Sequence, residues 1–355
     1  MCIALVSTSH PDYALIVLDN RDEYVLRPTS RPKWWTHKES GNQVLSSRDL
    51  QRRERGTWMG MTKSGRLAVL TNFRETIDDT VHPVHGVRSR GGMVTAWLGA
   101  PNDESLDQFV TKMLKGGLVK GVGGFSLICG DLKPKRSKEE LNGNWVQDRE
   151  VEPLVIISNR SEAVDGVPRI GGKRGDVWGL SNTVYEEPAT WPKVKMGRQL
   201  LKEAIETAVA GGASEDELSE LLFSVLDHDT LPPIARRVKM DFDERLDHLK
   251  QSVFIPAITD EDKEKDMLYA MEQGKMKAAF NYIEDEDNEL LEASWHDDGT
   301  LFDKGAYGTQ RQTMILVDWD GNVTYKERAL FDDHGNPVEH GKGDVTFKYT
   351  IDGWN

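Results

Sequence analysis

Only two cysteines, Cys2 and Cys129, occur in 355 residues. Two cannot build a disulfide framework, and so few point to a reducing compartment. Long apolar runs are missing too: none approaches the ~18 residues of a membrane-spanning helix. The first residues carry no basic segment ahead of an apolar stretch, so no secretory signal is apparent, and Asp12, Asp19, Asp22 and Glu23 come too early for a transit peptide. The cytoplasm is therefore the expected location. Positive charge is outnumbered, 45 Lys and Arg against 59 Asp and Glu: the net charge is -14, and no basic stripe with interleaved aromatics occurs, which argues against a nucleic-acid partner. There is no Gly-Lys-Ser/Thr phosphate loop, no Gly-x-Ser-x-Gly elbow, no Cys-x-x-Cys knuckle and no internal repeat. What remains is a globular composition, long enough to bury a sizeable core.

Chemistry concentrates at the beginning. Met1-Cys2-Ile3-Ala4-Leu5-Val6 and Tyr13-Ala14-Leu15-Ile16-Val17-Leu18 read as two strands joined by a turn at His10-Pro11-Asp12, the second strand running out into Asn20-Arg21-Asp22-Glu23. Such a hairpin brings Cys2 close to the polar run. With Met1 removed, Cys2 offers a thiol and an α-amino group titrating near pH ~8 that can act as its base. Arg21 could then hold a thiolate or oxyanion, with a carboxylate orienting it. The plainer reading makes Cys2 a small buried hydrophobe and the run a solvated turn.

Farther on, residues 27–35 read as an irregular, Pro-punctuated segment in which Trp34 and Trp35 pack under a loop, a ligand platform being the lesser reading. Paired strands follow at 56–61 and 67–71, the second ending at Asn72. His82 and His85 make a weak metal pair, with Pro83 between them. Helices are predicted over 93–98 and from Leu106 to Leu114, the latter stopped by Gly116-Gly117. A buried strand at 123–129 makes Cys129 a core residue. Residues 133–152 read as a surface insertion. Strands recur at 154–158 and 177–181, the latter ending at Asn182. Two helices come next, the second opened by a capping box at Ser214 and Glu217. Residues 241–305 are rich in charge runs and read as an acidic insertion, broken by a helix around 267–282. The chain closes in a β-meander. Strands, then helices, then strands without βαβ alternation imply an α+β fold. It would be a single domain over 1–355, with antiparallel sheets covered by helices on their outer faces.

Met1-Cys2, Asn20-Arg21-Asp22-Glu23, Gly56-Thr57-Trp58-Met59-Gly60, Gly124-Phe125, Gly179-Leu180-Ser181-Asn182 and Tyr307-Gly308-Thr309-Gln310-Arg311 occur in this order. As a set they resemble the transport and Golgi organisation protein 2 family, known also by its Asn-Arg-Asp-Glu motif. The resemblance spans nearly the whole chain, with the acidic stretch as extra length. It implies a four-layer αββα sandwich like that of N-terminal nucleophile hydrolases, a cytoplasmic or mitochondrial location, and a link to Golgi organisation and protein secretion. Haem mobilisation and acyl-coenzyme A metabolism are further connections of that family. A more distant likeness is to the N-terminal-Cys amidases that cleave conjugated bile acids or acylate penicillin precursors. Carried over from these, Cys2 matches the nucleophile, Arg21 the first Arg, Asn72 and Asn182 the two Asn residues, and Arg311 the last Arg. The acid departs from the pattern. The amidases space Arg and Asp three apart, whereas Asp22 and Glu23 follow Arg21 directly. On a strand, Asp22 faces away from Arg21 and Glu23 towards it.

Three functions follow as expectations. One is a Cys2-dependent amide or thioester hydrolase or acyltransferase, which requires no cofactor. The second is a non-catalytic carrier with haem or acyl-coenzyme A as cargo. The third is a secretion-related scaffold recruiting protein partners through its acidic stretch.

Overall fold

The computed structural model describes residues 2–51, 54–73, 89–119, 122–141, 144–185, 191–236, 240, 242–258, 306–332 and 334–354. In chain order the first elements are β1 (Ile3–Ser7), β2 (Tyr13–Tyr24), β3 (Lys33–Thr36), β4 (Gln43–Ser46), β5 (Met59–Thr62), β6 (Arg66–Asn72), α1 (Gly91–Leu98) and α2 (Leu106–Lys115). Next come β7 (Phe125–Asp131), β8 (Pro134–Leu141), β9 (Asn144–Val151), β10 (Leu154–Ser158), β11 (Arg169–Ile170) and β12 (Val177–Leu180). The last are α3 (Pro192–Gly211), α4 (Glu215–Leu226), α5 (Phe242–Leu249), β13 (Tyr307–Asp318), β14 (Asn322–Ala329) and β15 (Asp344–Thr350).

Two antiparallel sheets carry the fold, in the orders β12-β1-β2-β13-β14-β15 and β11-β10-β7-β6-β5-β4-β3. Because alternate residues of a strand leave opposite faces, each sheet feeds two cores. Ala4, Val6, Leu15 and Val17 meet Leu67, Val69 and Ile128 between the sheets. Ile3, Leu5, Ile16 and Leu18 turn outwards against Leu201 and Ile205 of α3 and Leu222 of α4. On the other side Ala68, Leu70, Leu127 and Cys129 pack beneath Val94 and Trp97 of α1 and Phe109 of α2. The layers are α, β, β, α, as the pattern of elements implies. Burial on both faces is why the strands read as continuous apolar runs. Gly197 of α3 permits close approach, since a Cβ there would meet Ile3 and Leu5 side chains at 3.2 Å.

Several expectations change. Residues 27–35 are not wholly irregular: Trp34 and Trp35 lie on β3, which pairs with β4. Being adjacent on a strand, the indoles part company, Trp34 packing on the inter-sheet core and Trp35 on the helix-covered one. The surface stretch from 133 forms a two-stranded sheet of its own, β8 with β9. The acidic insertion does not begin at 241. α5 follows directly, and Val253, Ile255 and Ile258 are core residues beside Trp191 and Val194. The uncharged run Val253-Phe254-Ile255-Pro256-Ala257-Ile258 is short and lies within a charge-rich window, so the average composition of that window passes over it. Residues 259–305, the expected helix at 267–282, and His82 and His85 lie outside the described residues.

Candidate functional site

The pairing of four strands sets one row of side chains at a sheet end. Ile3 stands opposite Asn20 on β2, and Ala4 opposite Leu180 on β12. One step before the first residue of β1, the same registers set Cys2 between Arg21 and Asn182. Arg311 of β13 lies directly across from Arg21. Directly opposed residues share a face, and here it is the face turned towards the second sheet, where Ala4 and Leu180 also point. From that second sheet, Asn72 ends β6. Its backbone oxygen accepts a hydrogen bond from Asn182 Nδ2, which ties the two sheet ends together. The half-buried Asn72 side chain makes no hydrogen bond of its own among the described residues.

Each member of the row is held. The Cys2 thiol donates to the Asp22 backbone oxygen at 3.8 Å, and Ser181 Oγ donates to the Cys2 carbonyl at 2.6 Å. The Arg21 guanidinium donates to Gln310 Oε1, lies 4.4 Å from the centre of the Trp58 ring, and stands 3.9 Å from Glu23 Oε2. Arg311 donates to Phe331 O at 3.3 Å and Thr29 Oγ1 at 3.4 Å.

The two polar runs prove to be complements. Glu23 pairs with Gly308, Asp22 with Thr309 and Arg21 with Arg311, Gln310 being the bulged residue. The bulge turns the Gln310 side chain to receive Arg21 and to donate to Val25 O at 2.8 Å and Arg27 O at 3.0 Å. Gly308 admits a neighbouring segment, for a Cβ there would sit 2.8 Å from Ile255 O. Asp22 and Glu23 divide as strand alternation predicts. Glu23 joins Arg21 and Arg27, the latter at 3.7 Å, and Arg27 continues to Asp49 at 2.6 Å. Asp22 faces the helices: its Oδ1 accepts from Thr309 Oγ1 at 2.7 Å, and its Oδ2 lies 3.7 Å from Lys193 Nζ, both side chains of that ion pair having no exposure. Tyr307 Oη donates to the Asp22 backbone oxygen at 3.1 Å. Asn20 donates to Leu226 O at 2.8 Å and Val253 O at 3.0 Å, so it serves the fold.

Electrostatics follow from burial. The Cys2 thiol is pushed up to about 11 by burial, with the amino terminus opposing and the Asp22 and Asp19 carboxylates reinforcing. Burial also lowers Lys193, against the pull of Asp22 and Cys2. Asp19 sits between the sheets with neither carboxylate oxygen hydrogen-bonded among the described residues, and burial followed by Asp22 holds it well above the usual carboxylate range. Burial alone would raise Glu23, but the Arg27 and Arg21 charges leave it below the ordinary value.

Cys2, Arg21, Asn182 and Arg311 are therefore brought into one row, Asn72 reaches it from the facing sheet, and Glu23 shares the row's face while Asp22 backs it. Sequence reasoning overlooked Lys193, and gave no roles to Tyr307, Thr309 and Gln310 although it singled out their run. A signal existed for Lys193: it enters the first turn of α3 just after Pro192, where the helix dipole disfavours a cation. Among the described residues no cluster of three or more His, Cys, Asp and Glu side chains is placed to hold a metal, and no helix is long and apolar enough to cross a membrane. Two surface hollows, of about 350 and 640 Å³, lie elsewhere, one between α3 and the start of β12, the other between α3 and α4.

Comparison with known proteins places the chain. It is 28% identical over 323 residues to the human Transport and Golgi organization protein 2 homolog, a match covering 90% of this chain and 88% of the human protein. The mouse homolog matches at 27% over the same shares of both chains. Among solved structures, a C2A mutant of the conjugated bile acid hydrolase from Clostridium perfringens is similar at a TM-score of 0.38 and 9% identity, covering 99% of this chain and 98% of that one. An N-acylethanolamine-hydrolyzing acid amidase ortholog from Caenorhabditis elegans is similar at 0.38 and 14%, covering 65% and 89%. The family model described as Transport and Golgi organisation 2 matches residues 1–332, nearly the whole length, and the chain belongs to that family.

Proposed function

We propose that this protein uses Cys2 as a nucleophile on an amide or thioester, as a hydrolase or acyltransferase working in the cytoplasm in support of Golgi organisation and secretion. The observation that carries the reading is the register that sets Asn182, Cys2, Arg21 and Arg311 in one row on one face. With Met1 removed, the thiol gives its proton to its own α-amine and the sulfur attacks the carbonyl carbon. The substrate's C–N or C–S bond then breaks, the ammonium returns the proton to the departing amine or thiol, and water or an acceptor takes the acyl group from Cys2. Asn72 offers a free side chain to the resulting oxyanion. Asn182 has a second amide hydrogen to give, and the two Arg residues supply positive charge.

The test combines mass spectrometry and kinetics. Intact mass from the native host should show Met1 gone. Incubation with an acyl-coenzyme A thioester should then leave an acyl group on Cys2 of the wild type and none on Cys2→Ala. Asn72→Ala should slow turnover by on the order of 10² to 10³ with ligand affinity largely kept. No adduct and no product on any thioester or amide tested sinks the nucleophile.

One observation favours a second reading. Cys2 is 8% exposed, and its thiol is raised to about 11 and engaged with a backbone oxygen, which describes a resting group rather than a ready thiolate. A carrier of haem or acyl-coenzyme A, with mitochondrial association, would need no thiolate. Titration of haem into wild type and Cys2→Ala separates the readings: equal affinity without acylation supports the carrier.

A further inference from the structure

We propose that Lys193, acting through Asp22, is a positioning residue that fixes the Cys2 sulfur and sets the charge it faces. The inference rests on Cys2 as the nucleophile, but its test needs no turnover. A fully buried lysine is rare unless paired, and Lys193 is buried completely on the opposite side of β2 from the Arg21 row. Its Nζ lies 3.7 Å from Asp22 Oδ2. The other Asp22 oxygen is fixed by Thr309 at 2.7 Å, whose hydroxyl in turn accepts from Ile255 N at 2.9 Å. The carboxylate is thus clamped from α3 and β13 together. The backbone oxygen of the same residue accepts the Cys2 thiol at 3.8 Å and the Tyr307 hydroxyl at 3.1 Å. Holding one end of Asp22 holds the sulfur at the other.

The charged surroundings make the arrangement electrostatic as well as steric. Cys2 faces the amino terminus, Asp22 and Asp19, while Lys193 and Tyr307 both feel the thiol. Lys250 shares the Trp191 ring with Lys193, at 5.8 and 5.7 Å, and its carbonyl accepts from the Lys193 backbone nitrogen. Asp22 and Asp19 disfavour a thiolate, and Lys193 is a cation that offsets Asp22.

The experiment follows iodoacetamide alkylation of Cys2 against pH by peptide mass spectrometry, in Met1-free protein, with Cys129 as a core-opening control. Lys193→Met removes the lysine charge 3.7 Å from the Asp22 carboxylate, which stays beside the thiol. The alkylation midpoint should rise by about one unit, and labelling below that midpoint should slow about tenfold. Lys193→Arg keeps the charge and should keep the midpoint, and Lys193→Met/Asp22→Asn should bring it back towards wild type. Lys193→Gln, checked by circular dichroism, replaces the Met variant if that does not fold. Faster labelling at every pH with an unmoved midpoint and rising Cys129 labelling would overturn the proposal and make Lys193 a packing residue. If the midpoints shift as expected while no acyl adduct forms on any substrate, the positioning role stands and the catalytic reading falls.

Discussion

From Ala14 to Leu18, β2 sends alternate apolar side chains into two cores, whereas from Asp19 to Asp22 the same strand, equally buried, carries Asp19, Asn20, Arg21 and Asp22. The apolar half is held by area alone, at about 1.5 to 3 kcal/mol per buried side chain. The polar half recruits partners for three of its residues. Asn20 takes the carbonyls of Leu226 and Val253, Arg21 takes Gln310 and Glu23, and Asp22 takes Thr309 and Lys193. Asp19 has none for its carboxylate oxygens among the described residues. One strand thus serves as scaffold for half its length and carries the candidate site on the rest. Buried charges are costly to keep, so their concentration beside a cysteine is what marks this half of the strand as the candidate site.

The largest expected effect breaks the polar half by removing one charge. Lys193→Met should cost about 3 to 5 kcal/mol in urea unfolding, because the buried Asp22 carboxylate loses the cation 3.7 Å away. Leu18→Ala in the apolar half should fall in the similar range of about 2 to 5 kcal/mol, from lost area and a cavity. The two then differ in salt and pH dependence rather than size; identical pH profiles would erase the contrast. Next in size, Thr309→Val keeps the shape but removes the hydroxyl between Asp22 and Ile255 N. It should cost about 2 kcal/mol, measured the same way. The smallest effect is a gain. The Asp19 carboxyl is raised in the fold, so the native state binds the extra proton, and stability falls as pH rises from the unfolded carboxyl value of about 3.9 through the native one. Asp19→Asn removes that loss. It should unfold about 1 kcal/mol harder at pH 8 while gaining little at pH 4, and a gain independent of pH would show that Asp19 carries no raised proton.

Much of the fold was legible. The continuous apolar runs of β1, β7 and β10 and the capping box at Ser214 are local patterns with a local cause, and the structure keeps them. Trp34 and Trp35 were not, because a four-residue strand between loops has too few positions to show alternation. Val253 and Ile255 stand in a short uncharged run that was averaged into the charge-rich stretch around it. In the site, period-two geometry alone separates Asp22 from Glu23 once the run is taken as a strand. Gln310 could not be read so, because a bulge breaks that period.

By itself the sequence determined the residues that share a face and the family to which their order belongs, since both are written in spacing along one chain. Only the tertiary structure decided that Lys193 on a helix neutralises Asp22, that Gln310 receives Arg21, and that Asn72 and Asn182 join two sheets. Those pairings link residues 110 to 289 positions apart. Pairing at such distances is set by how whole layers pack, and no local propensity encodes it.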